Sequence, residues 1–312
     1  MSSSVIERNL ASGRRSVSGH AARWWTAAIA VGVLIAGTGI YGADYYGLAW
    51  AERASSLKHP VLRPSGTIGL RLGMFGVFLF VCLYMYPLRK RWRWLAQFGK
   101  TKNWLDFHVL FGISAPLVIT LHSSLKFQGI AGVAYWLMIA VMASGVVGRY
   151  LYAKIPRRLN SAELSLADLE QSAMELTREL EKQPVLSSAD IARAFRLPAV
   201  EEIQRLSLMR VLLLMFWIDV TTVFRVSRLR RSGMGIIACA LTLGGVFPSR
   251  NRDLESAVRL ARQRARIETK VVFLSRTNEI FGLWHVVHRP FSYAFATLAI
   301  VHIVFMVMLG YY

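Results

Sequence analysis

The hydrophobic residues of this chain gather into long runs separated by short basic or polar connections. Runs at 23–42, about 68–87, 104–127, 129–152 and 279–312 each reach the roughly 20 residues that cross the hydrocarbon core of a bilayer as a helix. They predict an all-α, polytopic membrane helix bundle. Four spanning helices fall within 23–152, after a polar N-terminal tail at 1–22, and the last falls within 279–312. Trp24 and Trp25 mark an interfacial position at the start of the first span, and a loop with Pro60 and Pro64 precedes the second. An uncleaved signal anchor accounts for the first span, although AWA at 49–51 resembles a cleavage site.

Between the fourth and last spans the pattern changes. Residues 153–205 predict a cytoplasmic helical insert, with capping-box patterns at Ser165/Asp168 and Ser187/Asp190 and with Leu166, Leu169, Leu176 and Leu180 at helical spacing. The insert has no Gly-rich phosphate loop, so its apolar stripe is expected to pack on neighbouring protein or the membrane surface. Residues 206–247 hold two shorter apolar stretches, VLLLMFWIDVTTVF and GMGIIACALTLGGVF. Each is under spanning length, which leaves either a hairpin entering the bilayer with snorkelling arginines or a buried pair covering the bundle. Asp219 is expected to pair with a nearby arginine. Residues 248–278 read as a basic cytoplasmic helical segment, and the total is about five to seven transmembrane helices.

Charge orients this pattern. The formal net charge is +20, and the basic residues crowd beside apolar runs, most densely in PLRKRWRWLAQFGKTK after the second span. There they set topology and touch anionic lipid, which places the N-terminus in the cytoplasm and argues against nucleic acid as the partner. Gly145 and Gly148 suit close helix packing in the fourth span. Arg149, Arg157 and Arg158 at its basic end face lipid phosphates or the propionates of a cofactor. The two cysteines, Cys82 and Cys239, lie in apolar runs, which excludes a CxxCH attachment site or a four-cysteine iron–sulfur cluster within this chain.

The candidate chemistry lies in the histidines. His108 and His122 are fourteen residues apart in the third span, and His288 and His302 are fourteen apart in the last. Fourteen helical steps return to within about 40° of the starting face after a rise of roughly 21 Å. Each helix therefore presents two imidazoles on one side, one near each membrane face. The same faces carry Gly112, Ala115 and Ile119 in the third span, and Ser292, Phe295 and Ala299 in the last. Small residues beside paired histidines leave room for two haem b groups, each held non-covalently between two imidazoles. A histidine in a membrane helix can also serve only as an interhelical hydrogen-bonding group, but four at matched spacing favour ligation. His285 is rotated about 100° from the face of His302 and suits a supporting role, while His20 and His59 are expected at the surface.

With its paired H-x13-H helices the chain resembles the cytochrome b and ferric reductase-like transmembrane superfamily. More closely it resembles bacterial membrane di-haem cytochromes b, through HSSLKFQGIAGVAYWLMIAVMASGVVGRYLYAKIPR at 122–158 and FGLWHVVHRPF at 281–291. The resemblance covers about a third of the chain. It implies haem b, electron transfer through the bacterial inner membrane, and partnership with separately encoded flavin, iron–sulfur or multihaem cytochrome proteins. Ferric reductases continue into a flavin- and nicotinamide-binding domain, whereas this chain stops at Tyr312 and is not expected to oxidise NADH itself. HRPFS at 288–292 differs from the flavin-binding HPF[ST] motif by the inserted Arg289.

The expected function is that of an electron-transfer subunit. The alternatives are a quinol- or quinone-reactive cytochrome b subunit and a haem-free transporter or assembly factor. If 206–247 crosses twice or not at all, the last helix runs parallel to the third, pairing His108 with His288 and His122 with His302. A single crossing swaps the pairs.

Overall fold

The computed structural model describes residues 3–154, 162–182, 185–235, 239 and 242–311. Side chains are described from Gly19 onward, apart from 162–170, Ser188 and Ser275 within helices. The described residues form an all-α protein: α1 (Ser3–Tyr41), α2 (Ala43–Gly47), α3 (His59–Leu62), α4 (Thr67–Arg89), α5 (Arg93–Ala96), α6 (Thr101–His122), α7 (Gly129–Lys154), α8 (Ala162–Glu181), α9 (Ser188–Ala194), α10 (Val200–Arg205), α11 (Leu208–Ser232) and α12 (Arg252–Met308). Five segments are long and apolar enough to cross a membrane: Gly19–Tyr41, His59–Arg89, Thr101–His122, Gly129–Lys154 and Arg276–Met308. The chain divides into two compact units, one of residues 1–149 with 285–312 and the other of 150–284.

In the first unit α4 and α6 pack along their length, with Leu72, Leu79, Ala115, Val118 and Leu121 buried between them. Gly73 and Gly76 of α4 let α6 come close, while a Cβ on Gly69 would run into the Arg63 carbonyl of the turn before α4. A Cβ on Gly76 would run into Ile119 Cδ1. Such small-residue stripes are how membrane helices gain packing where no water drives them together. Arg89 ends α4 as a buried clasp. Its guanidinium donates to Thr101 Oγ1 (2.8 Å), Ala96 O (2.9 Å) and Gly99 O (2.7 Å), tying the tight connection to the start of α6. At least one residue of the basic cluster after the second span is therefore structural.

At the other end of α6 the chain turns through Ser124 and Leu125, both at positive φ. Buried Arg53 donates to the carbonyls of Ser124, Tyr46 and Leu48, and Ser124 Oγ donates to Leu62 O (2.6 Å). The 42–62 segment is thereby fastened over this end of the pair. Burial pushes the Tyr46 hydroxyl up to about 12, so it stays protonated and donates towards Leu121 O. His59 accepts or donates a 3.1 Å bond with Tyr45 here, and His20 bonds Asp106 at 3.3 Å. Both histidines expected at the surface are thus half-buried and hydrogen-bonded.

The second unit has its own core. Leu180 of α8, Ile191 of α9, Val226 and Leu229 of α11, and Leu254 and Val258 of α12 pack together, so the Leu180 end of the insert's stripe is covered from within the chain, while the side chains of Leu166 and Leu169 lie outside the described residues. Ser187 caps α9 through the Ala189 amide, while the side chains of Ser165 and Asp168 lie outside the described residues. VLLLMFWIDVTTVF belongs to the single helix α11, and residues 236–238 and 240–241 of the second apolar stretch lie outside the described residues, as do Arg157 and Arg158. Asp219 pairs with Lys154 Nζ and accepts the Tyr150 hydroxyl (2.7 Å), where an arginine was expected. The basic segment and the last span form one helix, α12, because no proline stands between 252 and Pro290 and Gly282, the glycine in that stretch, costs a helix only about 1 kcal/mol.

Arg230 organises the turn after α11. It grips Glu255 with two 2.9 Å bonds and donates to Gly245 O and Val246 O (3.1 Å each), while Glu255 Oε1 also accepts the Ser249 amide (2.8 Å). Removing one partner of such a buried pair strands the other charge. Glu255→Ala is expected to destabilise this unit by roughly 3–5 kcal/mol, read as a lower unfolding midpoint in detergent, whereas Arg193→Ala, in an exposed ion pair, should change it by less than about 1 kcal/mol.

Candidate functional site

His108 and His122 of α6 are positioned by the backbone of α4. His108 Nδ1 lies 3.1 Å from Leu83 O, and His122 Nδ1 lies 2.8 Å from Gly69 O. A carbonyl only accepts, so both imidazoles carry their proton on Nδ1 and their lone pair on Nε2. The geometry is a matter of register. The helices run antiparallel, and the acceptors are fourteen residues apart, as the histidines are. Leu83 O is available for a local reason: its intrahelical donor would be the amide of residue 87, and Pro87 has none. At the other level the ring of His122 lies directly over Gly73, where a Cβ would stand 2.7 Å from Cε1 and 2.8 Å from Nδ1.

The last helix brings the second pair. Along its final part the half-buried or buried positions include 285, 288, 292, 295, 299, 302 and 306, a helical stripe that contains both histidines. Ser144 Oγ of α7 donates to Val141 O and lies 2.8 Å from His288 Nδ1, so it accepts the imidazole N–H and sets the same tautomer. His302 has no hydrogen-bond partner among the described residues. Tyr84 of α4 bonds Ser292 and Phe80, one turn earlier on α4, meets Phe295, so the last helix runs antiparallel to α4. It therefore runs parallel to α6, which puts His288 towards the His108 end and His302 towards the His122 end. Among the described residues no group of three or more His, Cys, Asp or Glu side chains forms a metal cage.

Between the two levels the space is largely taken by protein. Ala115 is fully buried against α4, Ile119 lies on Gly76, and a Cβ on Gly112 would meet Leu83 at 3.7 Å. The Tyr84 hydroxyl donates to Ser292 O (2.6 Å) and lies 3.1 Å from Ser292 Oγ. Phe80 and Phe295 meet edge to face with centroids 4.9 Å apart, and Ala299 is half-buried beyond them. Arg149 pairs with Asp106 (3.0 Å), which His20 also bonds, forming a charged cluster two residues before His108. Leu83, Gly69, Gly73, Ser144 and Asp106 were not picked out from sequence. Pro87 four residues after Leu83 and the spacing of Gly69 and Gly73 are the signals that could have found three of them.

Searches against family models, curated proteins and solved structures find no match to this chain.

Two glycines next to histidines separate packing from tolerance. Gly73→Ala forces the His122 ring to move and is expected to cost about 1–3 kcal/mol. Gly145→Ala, whose Cβ would meet His288 Cε1 at an ordinary 3.6 Å, should fall within about 0.5 kcal/mol of wild type. Thermal unfolding of both variants in detergent reads the difference.

Proposed function

We propose that this protein is a di-haem b-type membrane cytochrome that carries single electrons across the bilayer between a cytoplasmic-side redox partner and one at the outer face. The observation that supports this reading most is the pair of imidazole pairs, His108 with His288 and His122 with His302, three of the four with the proton held on Nδ1 by a protein acceptor. The donor set fits haem b: two neutral nitrogen ligands at each level, as bis-histidine iron requires. Haem held by these imidazoles would supply reversible one-electron iron chemistry.

The residues of the chain have distinct parts. Leu83 O, Gly69 O and Ser144 Oγ accept the Nδ1–H groups, which orients each ring and raises the basicity of its Nε2. Gly73 gives the His122 ring its place beside α4. Phe80, Phe295 and the Tyr84–Ser292 bonds fill the interval between the levels and exclude water from it. Arg149, held by Asp106, stands at the His108 level as a fixed positive charge suited to a propionate. In this reading the protein sits in the bacterial cytoplasmic membrane with its N-terminus inside, and a separately encoded flavin, iron–sulfur or multihaem protein exchanges electrons with it.

A reduced-minus-oxidised absorption spectrum with pyridine haemochrome quantitation tests both cofactor and pairing. Wild type is expected to hold two b haems per chain, and His122→Ala and His302→Ala about one each. The double variant His122→Ala/His302→Ala should still hold about one, whereas His122→Ala/His288→Ala should hold close to none, because each loses a different pair. A protein without a b-type band after haem-replete expression would overturn the reading in favour of a haem-free transporter or assembly factor.

A further inference from the structure

Helix α11 has two apolar faces and a core on only one of them. Val211, Met215, Ile218, Val226 and Leu229 are buried within the second unit. Leu213, Phe216, Trp217, Val220, Val223 and Phe224 form a second stripe that is open, with Trp217 63% and Phe224 69% exposed. Spacings of three and four residues keep this stripe on one side of the helix.

The helix is pinned at the ends of two membrane-crossing segments. At its middle, Asp219 receives Lys154 Nζ and the Tyr150 hydroxyl from the last turns of the Gly129–Lys154 segment. One turn earlier, Met215 Sδ accepts the Thr277 hydroxyl (3.8 Å), and Arg276 donates to Gln204 O just ahead of α11, both from the first turn of the Arg276–Met308 segment. Where a crossing segment ends, the membrane surface begins, so these bonds fix α11 at that level. The helix is not itself among the segments apolar enough to cross. Arg210, Arg225 and Arg228 flank the open stripe with positive charge, and an amphipathic helix with arginines beside an aromatic-rich apolar face partitions into the interface of anionic membranes.

We propose that α11 lies in the plane of the membrane surface, its open stripe seated at the boundary between headgroups and acyl chains and its arginines against lipid phosphates. The second unit is then held to the bilayer by a third attachment besides its two covalent connections.

The test uses the full-length chain in nanodiscs of phosphatidylethanolamine and phosphatidylglycerol. Spin labels are placed singly at Leu213→Cys, Val220→Cys and Phe224→Cys in a Cys82→Ala/Cys239→Ala background, with Glu201→Cys as an exposed reference. An in-plane helix gives, at all three positions, more oxygen than nickel-chelate collision and one common shallow depth. A crossing helix would instead separate 213 from 224 by roughly 16 Å in depth. That gradient, nickel accessibility equal to the Glu201 reference, or spin–spin broadening between two copies would each overturn the proposal. Diazirine-bearing phospholipid on the unsubstituted protein provides a second readout: adducts within 213–224 are expected, and their absence there while the crossing segments are labelled would also overturn it.

Discussion

An imidazole in hydrocarbon must place its N–H on an acceptor, and the first unit is built around that demand. α4 meets it twice, at Leu83 O and at Gly69 O, in an antiparallel register that matches the fourteen-residue interval of α6. The unsatisfied alternative would cost several kcal/mol per group in a medium without water. The surrounding features serve this register. The glycine face of α4 brings the helices close, Arg89 closes the connection at one end, and Arg53 with Ser124 closes it at the other. A histidine held this way presents Nε2 in a defined direction.

The second unit is organised by charge in place of register. Arg230 and Glu255 are both largely buried, and each bond that Arg230 does not make to Glu255 goes to a carbonyl of the turn that follows α11. Asp219 is satisfied by groups at the end of α7, so a carboxylate within an apolar stretch becomes an anchor. These two carboxylates explain how a helix with apolar residues on both faces holds a single orientation: polar bonds choose which face turns inward.

The all-α class, the five crossing segments and the paired histidines were legible in the chain because they depend on composition and on helical period alone. Ser187 as a cap was legible for the same reason, since a cap is a local bond. The partners were not legible. That Asp219 meets Lys154 and not an arginine, that His20 meets Asp106, and that Arg149 already has a carboxylate are results of which helices lie side by side. The division of the last 57-residue helix into a basic segment and a span reflected a change in polarity, but polarity does not break a helix and no glycine or proline stands at that boundary.

By itself the sequence determined that two helices each show two imidazoles on one face, because fourteen residues are nearly a whole number of turns. It also determined that Leu83 would carry a spare carbonyl, since Pro87 brings no amide to it. Only the tertiary structure decided which imidazoles share a level, and it did so by setting α12 parallel to α6, with His288 towards the His108 end and His302 towards the His122 end. It decided as well that the small residues between the histidines of α6 are used against α4. The physical reason is the same in both cases: a helix's period fixes its faces, while its neighbours are chosen by packing and hydrogen bonds that join residues far apart along the chain.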